Sequence, residues 1–447
     1  MARLHRLEFG AYWRFFLKQP PSFWLISFYL LFEYVRPQSI YPSLDVLPWS
    51  QTFLIGCAAA VLAEGRLFKS FDSSDAWLVV FTAVLIASSF TAYFPDESFA
   101  ELQSYLNWVL IFVLITRSVD SEGKFFFFYF LFLLFSLKMS QHASRSWFGA
   151  GLQFRSWGAT GAPGFFQNSG EMAIQMTIFL PLSIYFAQAL KPHLSGLTKK
   201  WKYWMVLAVP LSAVFALLAS SSRGGQLGGL AVGAWMLFRS KARVRGFLAA
   251  IFIAGAVFLL LPEEQRARFE EMGSDETSET RIYHWKNGIK IANAHPVLGV
   301  GYANWLPYYY KVGYTTGRGS QLSHNIFIQA GAELGYAGLA AFLTLIFMTF
   351  RMNAHTRRRV GQLPDGRTLY LMALGLDAGL VGFLVSGSFV TVLYYPYFWI
   401  NYAMTAALYK VVRGRSRGTR GGARSVPRGT RPVGSRASRQ IADAPSG

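Results

Sequence analysis

Three residues stand where charge and proton transfer could meet. His324 lies in Ser323-His324-Asn325, directly ahead of the apolar run from Ile326 to Phe350. A helix starting there exposes free backbone N–H groups and a partial positive charge, which suits an anion. An imidazole beside it can exchange a proton near neutral pH. Ser220-Ser-Ser222-Arg223-Gly-Gly225 is a second junction of this kind, with small residues that admit a ligand and a planar guanidinium that fits a phosphate. Arg281 opens a third stretch, which runs through Trp285 and His295-Pro-Val-Leu-Gly-Val-Gly301. The set is two guanidinium groups and one titratable base. The histidines (5, 142, 193, 284, 295, 324 and 355) form no His-x-His or His-Glu-x-x-His pattern, so no metal site is expected. Neither a phosphate-binding Walker loop nor a dinucleotide fingerprint is present, so no cofactor is expected. Local context alone leaves plainer roles open: a histidine can cap a span, and a lone arginine at a span end can snorkel to the headgroups.

The elements that hold these residues follow from composition. The chain is 53% apolar and only 15% charged over 447 residues, where a soluble protein would carry nearer a quarter charged residues. The apolar residues come in blocks about as long as a bilayer is thick, so the expected class is all-α, a polytopic bundle of about 12 transmembrane helices. The runs lie near 22–35, 49–64, 75–92, 102–116, 124–138, 165–190, 203–220, 225–238, 246–261, 325–350, 369–390 and 395–411. With a cytoplasmic N-terminus, 31 of the 43 Lys and Arg fall on the inner side, which fixes an even number of spans and both termini inside. The segments are 1–261 (about nine spans), a long outer loop at 262–324, 325–412 (about three spans), and an Arg-rich, disordered tail at 413–447 that suits anionic headgroups.

The formal charge of +20 sits in short loops and in this tail, so membrane topology explains it and nucleic acid is not an expected partner. The single cysteine, Cys57, excludes an internal disulfide and reads as small core filler. The first apolar run lacks a small-residue cleavage site and reads as a span rather than a signal peptide. In the outer loop, 262–279 is charge-rich and reads as solvated. Ile282, Trp285 and Ile289 fall at helical spacing, which predicts an amphipathic helix along the membrane surface, ended by Pro296, Gly299 and Gly301.

Weaker candidates remain. Glu333 comes nine residues after His324, on the opposite face of a continuous helix, so a structural role is expected. Asp377 is an intramembrane carboxylate. Glu33 and Arg36 are three apart and can pair. Arg145 and Arg155 in the other outer loop could touch lipid phosphate or glycan.

At these residues the chain resembles the O-antigen ligase and O-antigen polymerase superfamily of bacterial membrane glycosyltransferases. The resemblance rests on Ser-Arg-Gly-Gly at 222–225, on Arg281…Trp285…His295 to Gly301, and on Ser323-His324-Asn325 through Glu333-Leu-Gly335-Tyr-Ala-Gly338. Gly164-Phe-Phe-Gln-Asn168, with Glu171, looks like a further Asn-containing motif. The resemblance implies a GT-C-like bundle in the bacterial inner membrane, with the site and its short amphipathic helices on the periplasmic side. It implies metal-independent transfer of a glycan from undecaprenyl diphosphate to lipid A-core or protein, as in lipopolysaccharide assembly. Carried over by motif, Arg223 and Arg281 hold the diphosphate and His324 assists the acceptor hydroxyl, with Asn325, Glu333, Arg155, Asn168 and Ser222 in support. A polymerase would present the same donor-binding residues, and the compact motif order leans to ligase. A transporter or flippase is the rival of another class. Such folds commonly repeat themselves internally around a midplane site, and no such repeat is visible here.

Overall fold

The computed structural model describes residues 2–68, 71–153, 158–194, 196, 199–240, 276–314 and 322–424. All regular structure among them is helical: α1 (Ala2–His5), α2 (Phe9–Leu17), α3 (Pro21–Tyr34), α4 (Pro37–Ile40), α5 (Trp49–Ala63), α6 (Ser73–Phe90), α7 (Pro95–Ser118), α8 (Glu122–Gly149), α9 (Ser169–Leu190), α10 (Lys200–Ala219), α11 (Arg223–Arg239), α12 (Glu276–Ala294), α13 (Trp305–Lys311), α14 (Ile326–Val360), α15 (Arg367–Gly387) and α16 (Pro396–Arg424). Eight helical segments among the described residues are long and apolar enough to cross a membrane. Eleven of the twelve apolar runs coincide with helices, while 246–261 and most of the charged run at 262–279 lie outside the described residues.

The centre of the bundle is α9 packed along α15, flanked by α11. Small residues on α15 allow this approach. A Cβ at Gly375 would lie 2.6 Å from the Tyr129 hydroxyl, and one at Gly382 would lie 2.8 Å from the Thr177 carbonyl. Close backbone contact of this kind replaces the hydrophobic drive that lipid cannot supply between spans. Cys57 is fully buried, as filler between α5 and its neighbours.

Two features beyond the sequence reading bear on the site. First, α14 is interrupted at Gly335, whose backbone (φ 65, ψ −172) lies in a region essentially reserved for glycine. The turn after α12 inserts into this break. The Val300 and Gly301 amides donate to the carbonyls of Ala332 and Glu333 (2.9 and 3.0 Å), and the Tyr336 amide donates to the Pro296 carbonyl (2.7 Å). The groups freed by the break are thereby satisfied inside the protein, as a span requires. Asn304 then ties the turn to the α6–α7 link: its side chain accepts from the Phe94 amide (2.7 Å) and donates to the Ser98 hydroxyl (2.9 Å).

Second, α12 exists as expected, with Ile282 and Ile289 facing outward, and its opposite face docks on the protein. His284, Asn287, Ile291 and Ala292 are buried, whereas Ile282 and Ile289 are exposed and Trp285 is half-buried. The reason is tertiary. α12 docks on α13 and α14 through polar bonds, with Asn287 donating to the Tyr309 hydroxyl (3.0 Å) and that hydroxyl lying 2.7 Å from His284 Nδ1. Gly288 permits the approach, since a Cβ there would lie 2.3 Å from Ile328.

Candidate functional site

Three helices begin at one end of the bundle, each under a side-chain cap. Asn168 Oδ1 accepts from the Gly170 amide (2.9 Å), and the Glu171 carboxylate accepts from the Asn168 amide (3.1 Å), a reciprocal box at the start of α9. The Ser222 hydroxyl accepts from the Gly225 amide (3.3 Å) at the start of α11. Asn325 Oδ1 accepts from the amides of Phe327 (2.9 Å) and Ile328 (3.1 Å) at the start of α14. Ser221 and His324, the residues just ahead of two of these caps, have left-handed backbones (φ 52 and φ 47). That conformation is uncommon outside glycine and clusters at functional positions.

The link from Ser388 to Tyr395 joins the three starts. The His324 amide donates to the Thr391 hydroxyl (2.8 Å), and the Ser323 and Thr391 hydroxyls are 3.4 Å apart. A Cβ at Gly170 would lie 3.4 Å from Val390 and 3.9 Å from the Ser222 hydroxyl. Phe389 fills the space between α11 and α12. A Cβ at Gly224 would lie 2.8 Å from its Cβ, and its ring is 6.2 Å from that of Trp285. Trp285 Nε1 in turn donates to the Ser323 carbonyl (3.1 Å), so α12 is fastened to the residue before His324.

This arrangement sets the chemistry of His324. Burial lowers its pKa to about 4, and the nearby charges of Arg281 and His284 act in the same direction. The ring is therefore neutral at pH 7 and free to accept a proton, and the group that repels its proton most directly is the Arg281 guanidinium. Burial likewise pushes the Tyr309 phenol up to about 12, so it remains a hydrogen-bonding strut under α12.

The sequence-derived residues are distributed as follows. His324, Asn325 and Arg281 come together, and Ser222, Arg223 and Asn168 stand across Phe389 and Val390 from them. Arg155 lies outside the described residues, and Arg145 is exposed on α8. Glu333 is fully buried beside the break in α14. It accepts from the Tyr394 hydroxyl (2.9 Å), Gln329 (3.3 Å) and the Trp305 amide (3.3 Å), which places it among the groups that hold the inserted turn. Asp377 is paired with Arg357 and accepts from Asn353 (2.9 Å), within α14 and α15 and away from the three helix starts. Glu33 and Arg36 pair at 3.5 Å. Sequence reading missed Phe389, Thr391 and Tyr394, because the link at 391–394 carries no charged or catalytic residue type to mark it. The available signal was Ser386-Gly-Ser388 followed by β-branched residues and Pro396, a break before a new helix.

Residues 205–343 match the family model described as O-antigen ligase. That segment contains Arg223, Arg281, His324 and Glu333. Over that segment, about a third of the chain, the protein is similar to the O-antigen ligase family. It is also 30% identical over 221 residues to the exopolysaccharide production protein ExoQ of Rhizobium meliloti (strain 1021). That alignment covers 45% of this chain and about half (49%) of the relative. Within the matched segment lie α11, α12, α13, the break at Gly335 and two of the three capped helix starts.

Proposed function

We propose that the chain is a membrane glycosyltransferase of the ligase type. In this reading it moves a glycan from undecaprenyl diphosphate to lipid A-core or to protein, at the periplasmic face of the inner membrane and without a metal. The observation that carries it is the placing of His324, held by Thr391 at the start of α14 and near Arg281, within the segment that matches the O-antigen ligase model. The acceptor hydroxyl gives its proton to the imidazole as its oxygen bonds to the anomeric carbon. The bond from that carbon to the diphosphate breaks, and the electron pair leaves with the diphosphate. Arg281 and Arg223 offset the charge that grows there, and the pre-set helix starts add to the positive field. Direct displacement inverts the anomeric centre. Asn168, Ser222 and Asn325 keep the three starts in place, and Glu333 keeps the inserted turn in place. Arg155, in the outward segment at 139–164, is carried forward as a further contact for lipid phosphate or glycan. The lysine and arginine distribution supports the orientation, with both termini cytoplasmic.

The exopolysaccharide relative favours a second reading, a polymerase that joins repeat units on the lipid carrier with the same residues. The match of residues 205–343 to the O-antigen ligase family model weighs against the transporter reading. Deleting the gene and running surface glycans on a gel separates the first two. Unattached long chains retained on the carrier are the ligase outcome. Single-repeat capped core is the polymerase outcome. Unchanged glycans would remove both.

A further inference from the structure

A second polar cavity opens at the same end of the bundle, between α3, α5 and α7. Its volume is about 320 Å³, and Glu33, Arg36, Gln38, Gln51, Asn107 and Trp108 are among its lining residues. The charges in it are balanced, because Arg36 is paired with Glu33. Its remaining polar groups are amides and hydroxyls, and its walls include Tyr29, Trp49 and Phe165. Such a lining is unlike a phosphate pocket, which needs uncompensated positive charge. Planar groups that both donate and accept, set against aromatic surfaces, match a ring carrying hydroxyls on its edge and C–H groups on its faces.

On the wall of the cavity, Arg36 is held in a left-handed backbone (φ 51). Its guanidinium lies against Gly164, where a Cβ would come within 2.5 Å.

The position of the cavity relates it to the transfer site. Phe165 lines it, and the Phe165 carbonyl accepts from the Tyr397 hydroxyl (2.5 Å), which also donates to the Glu171 carbonyl (3.0 Å) at the start of α9. From Phe165 to Gly170, beside Ser222, the chain can reach at most about 18 Å, a few sugar units. The segment that closes the cavity exposes Ile40, Tyr41, Val46 and Leu47, an apolar rim suited to the headgroup boundary. A lipid-linked glycan has its first sugars at that depth.

From this we infer that the cavity between α3, α5 and α7 is a carbohydrate subsite that binds a sugar unit of one of the two glycan substrates. The inference rests on the glycosyltransferase reading above, and it adds the place where specificity for the glycan is set. Gln51 and Asn107 carry it, since both line the cavity, neither is fully buried, and neither makes a side-chain hydrogen bond among the described residues.

The test uses the full chain in nanodiscs and, as probe, the free oligosaccharide repeat released by mild acid from the producing strain's own surface polysaccharide. Wild type is expected to bind it, and Gln51→Ala and Asn107→Ala each to weaken binding about three- to tenfold, the loss of one net hydrogen bond. In transfer assays the same variants raise KM and leave kcat unchanged. A raised KM for the lipid-linked donor assigns the subsite to the donor glycan, and a raised KM for the acceptor assigns it to the acceptor. Equal binding by wild type and both variants overturns the inference. So does weakened binding of undecaprenyl diphosphate without sugar, or competition by phosphatidylethanolamine, which would make the cavity a phosphate or lipid site. Binding of the free repeat is read without catalysis, so a wild type that binds sugar in this cavity but transfers nothing removes the transferase reading alone.

Discussion

At the end of the bundle where α3 starts and α5 finishes, charges meet charges. Glu64 accepts from the Ser22 amide and hydroxyl and pairs with Arg66 (2.9 Å), which also meets Asp120 (2.6 Å). Asp75 is shared by Arg117 (2.8 Å) and Lys410 (2.5 Å), and Arg415 joins Glu122 and Asp365. At the opposite end the backbone is unusual instead. Among the described residues, Arg36, Leu152, Ser221, Ala303 and His324 take left-handed conformations there, and Leu7 is the one other non-glycine that does so. The ion-paired end clamps α5, α6, α7, α8 and α16 together. The strained end presents helix starts and turns, and strain persists only where surrounding structure enforces it. The contrast separates the residues that assemble the protein from those proposed to carry out transfer, and each substitution below tests that division.

The largest effect is expected from His324→Ala, which should lower transfer by about 10²- to 10⁴-fold, the range for losing a general base, with normal insertion and accumulation. Arg281→Gln or Arg223→Gln should each lower kcat by about 10²- to 10³-fold, as when a group that stabilises developing charge is removed. Near-normal turnover in either arginine variant would place the diphosphate elsewhere. Gly335→Ala should reduce both activity and thermal stability, because the new Cβ would lie 2.4 Å from the Val297 carbonyl. The backbone strain alone costs about 1–3 kcal/mol.

At the other end, Arg117→Met should destabilise by about 3–5 kcal/mol, because it removes one partner from a buried charge cluster. Transfer per folded molecule should stay close to wild type. A catalytic defect without a lower Tm would break the division between the two ends. The finest test is the pH profile. Because the neutral imidazole is the base, transfer should be level at neutral pH and fall as pH drops toward about 4, not toward 6.5. Arg281→Gln removes a repelling charge, so the acid limb of its residual activity should move up.

How much of this was legible in the sequence depends on what fixes each feature. Spans are fixed by lipid, a uniform solvent, so apolar runs marked most helices to within a few residues. The ends were less legible. α8 and α14 continue past the apolar runs to Gly149 and Val360, through polar residues that need no lipid. The face by which α12 docks was not legible, because Tyr309 and α14 select it, and those partners are distant in sequence. The junctions at His324 and Arg223 were legible as candidates because their neighbours are local (small residues, caps and a following apolar run), whereas Arg281 stood out only by its motif. Thr391 and Phe389 were not, because their importance comes from what the link touches rather than from its composition. The Gly335 break was only partly legible, as a glycine-rich stretch whose conformation depends on the turn inserted from 296–301.

The most direct measurement is transfer by the purified chain in proteoliposomes, with lipid-diphosphate glycan and acceptor supplied in the leaflet facing His324, in the presence of chelator. The account predicts product from wild type and almost none from His324→Ala at matched protein. Absence of product from wild type under these conditions, or equal product from both, would contradict it.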